Sequence, residues 1–240
     1  MESAMKEFRY SGAAGILIIL LSIVIALFYR FDVANPSTEF RIPVLALEFA
    51  GSLSQASTLL GTDPAMIRNY DIGHHLDLVF ALVYSAFLLF ANMGAWSSER
   101  NALNLVGIIC AAVACSADWA ENWQLLQLTD ALLGVGAAPD FWLLRLFAST
   151  KFLFISISML CLCPYLWSKG ALAKAYCVAS CVLPAVTLCT LLGLFRLSGI
   201  MILLTSIAWL ALFILVIRIS SKGYAPRLVQ TDNRATGVQR

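Results

Sequence analysis

The chain has 240 residues, of which 60% are hydrophobic and 12% charged. A soluble domain is nearer half apolar and a quarter charged, so the composition excludes an ordinary soluble fold and points to an all-α, polytopic integral membrane protein. The net charge of +2, with no basic stripe interleaved with aromatics, excludes nucleic acid as a partner.

Six spans follow in chain order, each close to the ~20 residues that a ~30 Å hydrocarbon core requires. The first covers residues 13–29 behind Lys6 and Arg9, and reads as an uncleaved anchor because no small-x-small site follows it. The next stretch, 30–71, holds an amphipathic segment expected as one helix from Pro43 to Leu60. Leu45, Phe49, Leu53, Ala56 and Leu60 recur on one side and Glu48, Ser52 and Gln55 on another. The expectation is a connector lying on the surface; the sharper alternative is a lid over a cavity. Gly61-Thr62-Asp63-Pro64 ends it. The remaining spans are 73–96, 103–127, 141–167, 175–195 and 198–217. Pro164 and Pro184 are placed to kink the fourth and fifth. The run Arg196-Leu197-Ser198-Gly199 predicts a tight hairpin. Residues 1–219 form one transmembrane domain, and 220–240 a polar, aperiodic tail expected to be disordered.

All seven cysteines lie in apolar runs with no CxxC, which reads as small packing residues. No cofactor is called for: no ATP or dinucleotide motif and no GxSxG turn occurs. The two histidines, His74 and His75, are adjacent, so they cannot ligate a haem from opposite helices. A metal set would need His74 with Asp77 and Glu121, and none is expected.

The distribution of Lys and Arg predicts both termini in the cytoplasm. The inside then collects Lys6, Arg9, Arg100, Lys169, Lys174, Arg218, Lys222, Arg227, Arg234 and Arg240. The outside keeps Arg30, Arg41, Arg68 and Arg196, with Arg145 near that surface. Residues 128–140 carry two aspartates and no Lys or Arg, as an exported loop should. Trp96 and Trp167 mark the inner boundary, and Tyr29, Trp123 and Trp142 the outer one. With no usable glycosylation sequon (Asn35 precedes proline), the expected location is a bacterial inner membrane.

The third span carries the chemistry. Cys115, Asp118, Glu121, Asn122 and Leu125 share one stripe, so both carboxylates can face one cavity. Charged groups within a bilayer are costly, which makes them functional candidates. With the helix ending near Gln127, Asp118 lies about 14 Å and Glu121 about 9 Å from its outer end. On the fourth span Lys151 lies about 15 Å deep and Arg145 about 6 Å. A Lys151–Asp118 salt bridge is expected, with Arg145 pairing with Glu121 or snorkelling outward. On the second span His74, Asp77 and Tyr84 share a face, a spacing that lets a carboxylate orient an imidazole. Three carboxylates then face two cations, so the cluster can hold a proton or take a cationic group.

A span opening with His/Asp, then one with Asp118-Trp119-Ala120-Glu121-Asn122, then one with an internal lysine resembles a group of uncharacterised bacterial polytopic membrane proteins, over residues 45–155. That resemblance implies no assigned activity. The intramembrane His, Asp, Glu, Trp and Asn set is similar in kind to sterol isomerases of the emopamil-binding class, whose motif spacing is not reproduced, so no residue role is carried over. The expectation is a six-helix bundle whose outer-leaflet pocket binds a small amphiphile or lipid-like molecule from the bilayer. Glu121, Asp118 and Lys151 would be the acid–base or cation-binding groups, with His74, Asp77, Tyr84, Asn122 and Arg145 lining the site. The alternative is a scaffold or assembly subunit whose charge network fixes helix register. Oligomeric state is not readable from the sequence.

Overall fold

A computed structural model describes residues 2–28 and 43–222. It is all-helical: α1 (Glu2–Ala26), α2 (Pro43–Glu48), α3 (Leu53–Leu60), α4 (Pro64–Glu99), α5 (Ala102–Leu132), α6 (Phe141–Leu160), α7 (Cys163–Leu166), α8 (Ala171–Leu191) and α9 (Ser198–Lys222). Six segments are long and apolar enough to cross a membrane: Ser3–Ala26, Pro64–Glu99, Ala102–Leu132, Phe141–Leu166, Ala171–Leu191 and Phe195–Ser221. The protein is a multi-pass, six-helix bundle. Tyr29, Arg30, Arg41 and the tail beyond Lys222 lie outside the described residues.

The boundaries differ from the hydropathy reading for local reasons. The second helix starts at Pro64, nine positions before Gly73, because Asp63 accepts the Ala65 N–H and Pro64 occupies the first turn. At 36 residues it is about 54 Å long, well beyond a ~30 Å core. The third runs on to Leu132 rather than Gln127. In the fourth, α6 stops at Leu160, ahead of Pro164, and resumes as the short α7. Pro184 stays inside an unbroken α8. The fifth helix is shifted four residues earlier, and its turn to α9 is made by Leu192–Leu197, with Gly193 at φ 108°, not by Arg196–Gly199.

The six long helices pack in sequence order and close into a ring: α1 on α4, α4 on α5, α5 on α6, α6 on α8, α8 on α9 and α9 back on α1. Chain direction alternates. One end of the ring, the tail end, carries the start of α1 and the end of α9; the other, the cap end, carries α2 and α3. Among the described residues, the first and last helices meet closely at the tail end. A Cβ on Gly15 would overlap the Phe213 ring, and one on Gly12 would meet Ile217 at 3.0 Å. Ala4, Phe8, Ser11, Ala14 and Gly15 are buried there. Towards the cap, α1 buries nothing between Gly15 and Ile25, and Ser22 and Ser206 are both exposed.

The cap corrects the single-helix expectation. The chain breaks at Phe49–Ser52, where Ser52 accepts the Gln55 N–H and the Gln55 side chain accepts the Gly51 N–H. Ser52 is thus the N-cap and Gln55 reaches back one residue beyond it, which starts a new helix at Leu53. The segment is not a surface connector either. Leu45, Ala46, Leu47, Phe49 and Ala50 are buried. Leu47, Ala50, Ala56 and Leu60 pack with Tyr70, Leu125, Leu128 and Leu144 from the extended ends of α4, α5 and α6. The extra turns beyond the bilayer thickness therefore build a second apolar core, which seats α2 over the ring.

Candidate functional site

Helix α5 presents Asp118, Glu121 and Asn122 inward, all buried. Lys151 of α6 is also buried and reaches across to them. Its ammonium lies 2.7 Å from Glu121 Oε1, 3.2 Å from Glu48 Oε1 and 3.4 Å from Asp118 Oδ1. An ammonium has three N–H donors, and here three carboxylates surround it. The expected Lys151–Asp118 approach is present, but the shortest pair is Lys151–Glu121. The third acceptor, Glu48, comes from α2, where the amphipathic reading had put it on a polar outer side. Burial pushes the Glu48 carboxyl above the usual carboxylate range, while Lys151 beside it pulls it back.

Asn122 ties the second helix to this cluster. Its Nδ2 donates to Asp77 Oδ2 at 3.1 Å, to Asp118 Oδ1 at 3.0 Å and to the Asp118 carbonyl at 3.1 Å. Tyr84, two turns further along α4, donates its hydroxyl to the Ala114 carbonyl at 3.4 Å. The cluster thus holds four carboxyl groups and one ammonium: Glu48, Asp118 and Glu121 around Lys151, and Asp77 joined through Asn122. Glu48 Oε2, Glu121 Oε2 and Asn122 Oδ1 are buried with no hydrogen-bond partner among the described residues.

Beside the cluster is a cavity of about 410 Å³. Glu48, Asp77, Asp118, Lys151 and Tyr84 form its polar end, and Phe80, Phe152, Ile155, Trp209, Ile18 and Val44 its apolar walls. Ser22 from α1 and Thr205 and Ser206 from α9 complete the lining. Ser22 and Ser206 line the cavity and are also exposed at the surface of the bundle, so the cavity opens sideways between the cap-end halves of α1 and α9. These hydroxyls and Trp209 line the cavity without being ionisable, so charge patterning in the sequence does not point to them. Trp209 is the only tryptophan of the last span, and that was the signal for it.

The remaining sequence candidates stand outside the cavity wall. Glu121 is fully buried behind Lys151, and Asn122 behind the two aspartates. His74 is fully buried, with its ring 6.4 Å from that of Tyr70 and its side chain hydrogen-bonded to Asn122, so it stands behind the cavity wall and not at its mouth. Its neighbour His75 faces out, with Nδ1 2.9 Å from the Asp71 carbonyl. Arg145 does not reach Glu121. Its Nε donates to the Phe49 and Ala50 carbonyls at 3.0 and 3.2 Å, which ties down the break after α2. Arg145→Met is expected to loosen that tie by about 1.5 kcal/mol, the range for a hydrogen bond to a charged group. Hydrogen exchange at residues 43–60 should then speed up about tenfold, with the long helices unchanged.

Among the described residues no group of three His, Cys, Asp or Glu side chains is arranged to hold a metal ion. The position where carboxylates converge is taken by the Lys151 ammonium. All seven cysteines are free. No family model, no curated protein and no solved structure matches the chain, so the site is read from its own geometry.

Proposed function

We propose that this protein binds a small amphiphile or lipid-like molecule in a pocket within the outer half of the membrane. The observation that supports this reading is the shape and polarity of one cavity. It is charged at one end, aromatic and aliphatic along its length, and open between α1 and α9 where a membrane helix faces lipid. A molecule with a polar head and an apolar body can slide in from the bilayer without crossing water. Glu48, Asp118 and Asp77 then meet the head, with Lys151 as counter-ion, and Trp209, Phe80 and Phe152 meet the body. The carboxylates supply cation-binding or acid–base groups at the head position.

The orientation that fits places the cap outside and both termini in the cytoplasm, in a bacterial inner membrane. Lys6, Arg9, Arg100, Lys169, Lys174 and Arg218 belong to the tail end, whereas Arg68, Arg145 and Arg196 belong to the cap end. Trp142 and Trp123 at the cap end and Trp167 at the tail end are exposed, as interfacial anchors are.

The scaffold reading is favoured by one observation: Glu121 is fully buried against Lys151 and does not reach the cavity, as a pure helix-registry contact would be. Native mass spectrometry of protein extracted with its surrounding lipid separates the two. The pocket reading expects a retained small amphiphile in about one-to-one ratio, lost when Ser206→Phe fills the opening while the melting temperature holds. The scaffold reading expects no retained molecule in either protein.

A further inference from the structure

With every carboxyl ionised, the charges of the cluster do not balance. Lys151 already faces Glu48, Asp118 and Glu121, and Asp77 is joined to them through Asn122 rather than through a cation. Arg145, the other cation on α6, is engaged by the Phe49 and Ala50 carbonyls. The lining of the cavity therefore carries three carboxylates and one ammonium. Excess negative charge at a buried site is relieved by protons or by a cation from outside. Glu48 lines the cavity, is 5% exposed, and has its Oε2 without a partner.

The surroundings favour an organic cation over a bare ion. Phe80, Tyr84 and Trp209 form an aromatic wall, with Phe80 against Tyr84 at 5.7 Å and Tyr84 edge-on to Trp209 at 6.1 Å. Elsewhere in the lining, Lys151 lies 4.7 Å from the ring centre of its neighbour Phe152, an ammonium already held beside an aromatic face. An anionic head would meet Glu48, Asp77 and Asp118 and would be repelled. A neutral head would gain hydrogen bonds but would leave the excess charge to be relieved by protons alone.

We propose that the amphiphile carries an ammonium head, which docks between Glu48, Asp118 and Asp77 while its chain lies against Phe80, Phe152 and Trp209. This rests on the pocket reading above. The test uses four probes with one chain length: octylamine (cationic at neutral pH), octyltrimethylammonium, octanol and octanoate. Each is radiolabelled and its binding measured on nanodisc-held protein, with empty nanodiscs as the blank. The expected order is octylamine at least about tenfold tighter than octanol, as for one charge-assisted contact, with octanoate not detected. Trimethylammonium binding close to octylamine would weight the aromatic wall, and much weaker binding would weight the Glu48 oxygen; both support an ammonium site. Glu48→Gln and Asp118→Asn should each shrink the octylamine preference about tenfold, with helix content and monodispersity checked for both. Octanol binding as tightly as octylamine would overturn the ammonium head and leave the pocket. Octanoate binding best would overturn it in favour of Lys151 as the receiving group. No binding by any probe would overturn the pocket itself.

Discussion

Lys151→Met should destabilise the bundle by about 3–5 kcal/mol, the cost of removing one partner from a buried ion network. Methionine keeps the unbranched stem, so most packing against Phe152 survives. What is lost is the ammonium within 3.4 Å of Glu121, Glu48 and Asp118. Three carboxylates would then face one another in a site where each is at most 5% exposed. The measurement is reversible unfolding in mixed micelles, followed by helix signal. Combining Lys151→Met with Glu121→Gln removes a charge of each sign, and the pair should recover a clear part of the loss, giving a coupling above 1 kcal/mol. A single-variant loss below about 1 kcal/mol would instead put the cluster in the range of solvent-exposed pairs. The α2 segment should loosen first, because Glu48 is its charged link to α6.

Helix type and number were legible because apolar runs of spanning length leave few other solutions. The ionic core was legible from the Asp118, Glu121, Asn122 stripe, since residues at steps of three and four must share a face. What escaped was the cap. Periodicity from Leu45 to Leu60 suggested one helix with Glu48 facing water. The N-cap Ser52, with Gln55 three residues on, was in the sequence and breaks that helix, which turns Glu48 inward onto Lys151. Arg145 escaped for the same reason: with the chain broken at Phe49 and Ala50, two carbonyls need a donor, and an arginine one helix away supplies it. The helix ends past the bilayer were missed because hydropathy stops at the polar boundary, whereas caps at Asp63 and the run to Leu132 decide where the helices stop. Nor could composition show that α1 and α9 meet closely at the tail end. That follows from Gly12 and Gly15 meeting Ile217 and Phe213, a contact between the two ends of the chain.

Asn122→Leu should cost about 3 kcal/mol, because one amide serves two carboxylates and hydrogen bonds to charged groups are worth about 1.5–3 kcal/mol each. Leucine matches the asparagine in size, so the backbone packing of α5 has no reason to move. Asp118 loses a donor at 3.0 Å and Asp77 one at 3.1 Å. Their shares differ. Asp118 is 2% exposed and has Lys151 left, whereas Asp77 is half-buried on the cavity and can turn to water. The variant therefore tests position as well as stability. Once freed, Asp77 swings from α5 and the distance between the two cavity carboxylates is no longer held, so octylamine affinity should fall together with the unfolding free energy. Glu121→Gln is the contrasting case: its amide oxygen can still accept from Lys151 and it stands behind the cavity wall, so it should move stability with little change in octylamine binding. If Asn122→Leu lowered stability by the stated amount yet left octylamine affinity intact, Asp77 would be no part of the head site, and the cation would rest on Glu48 and Asp118 alone.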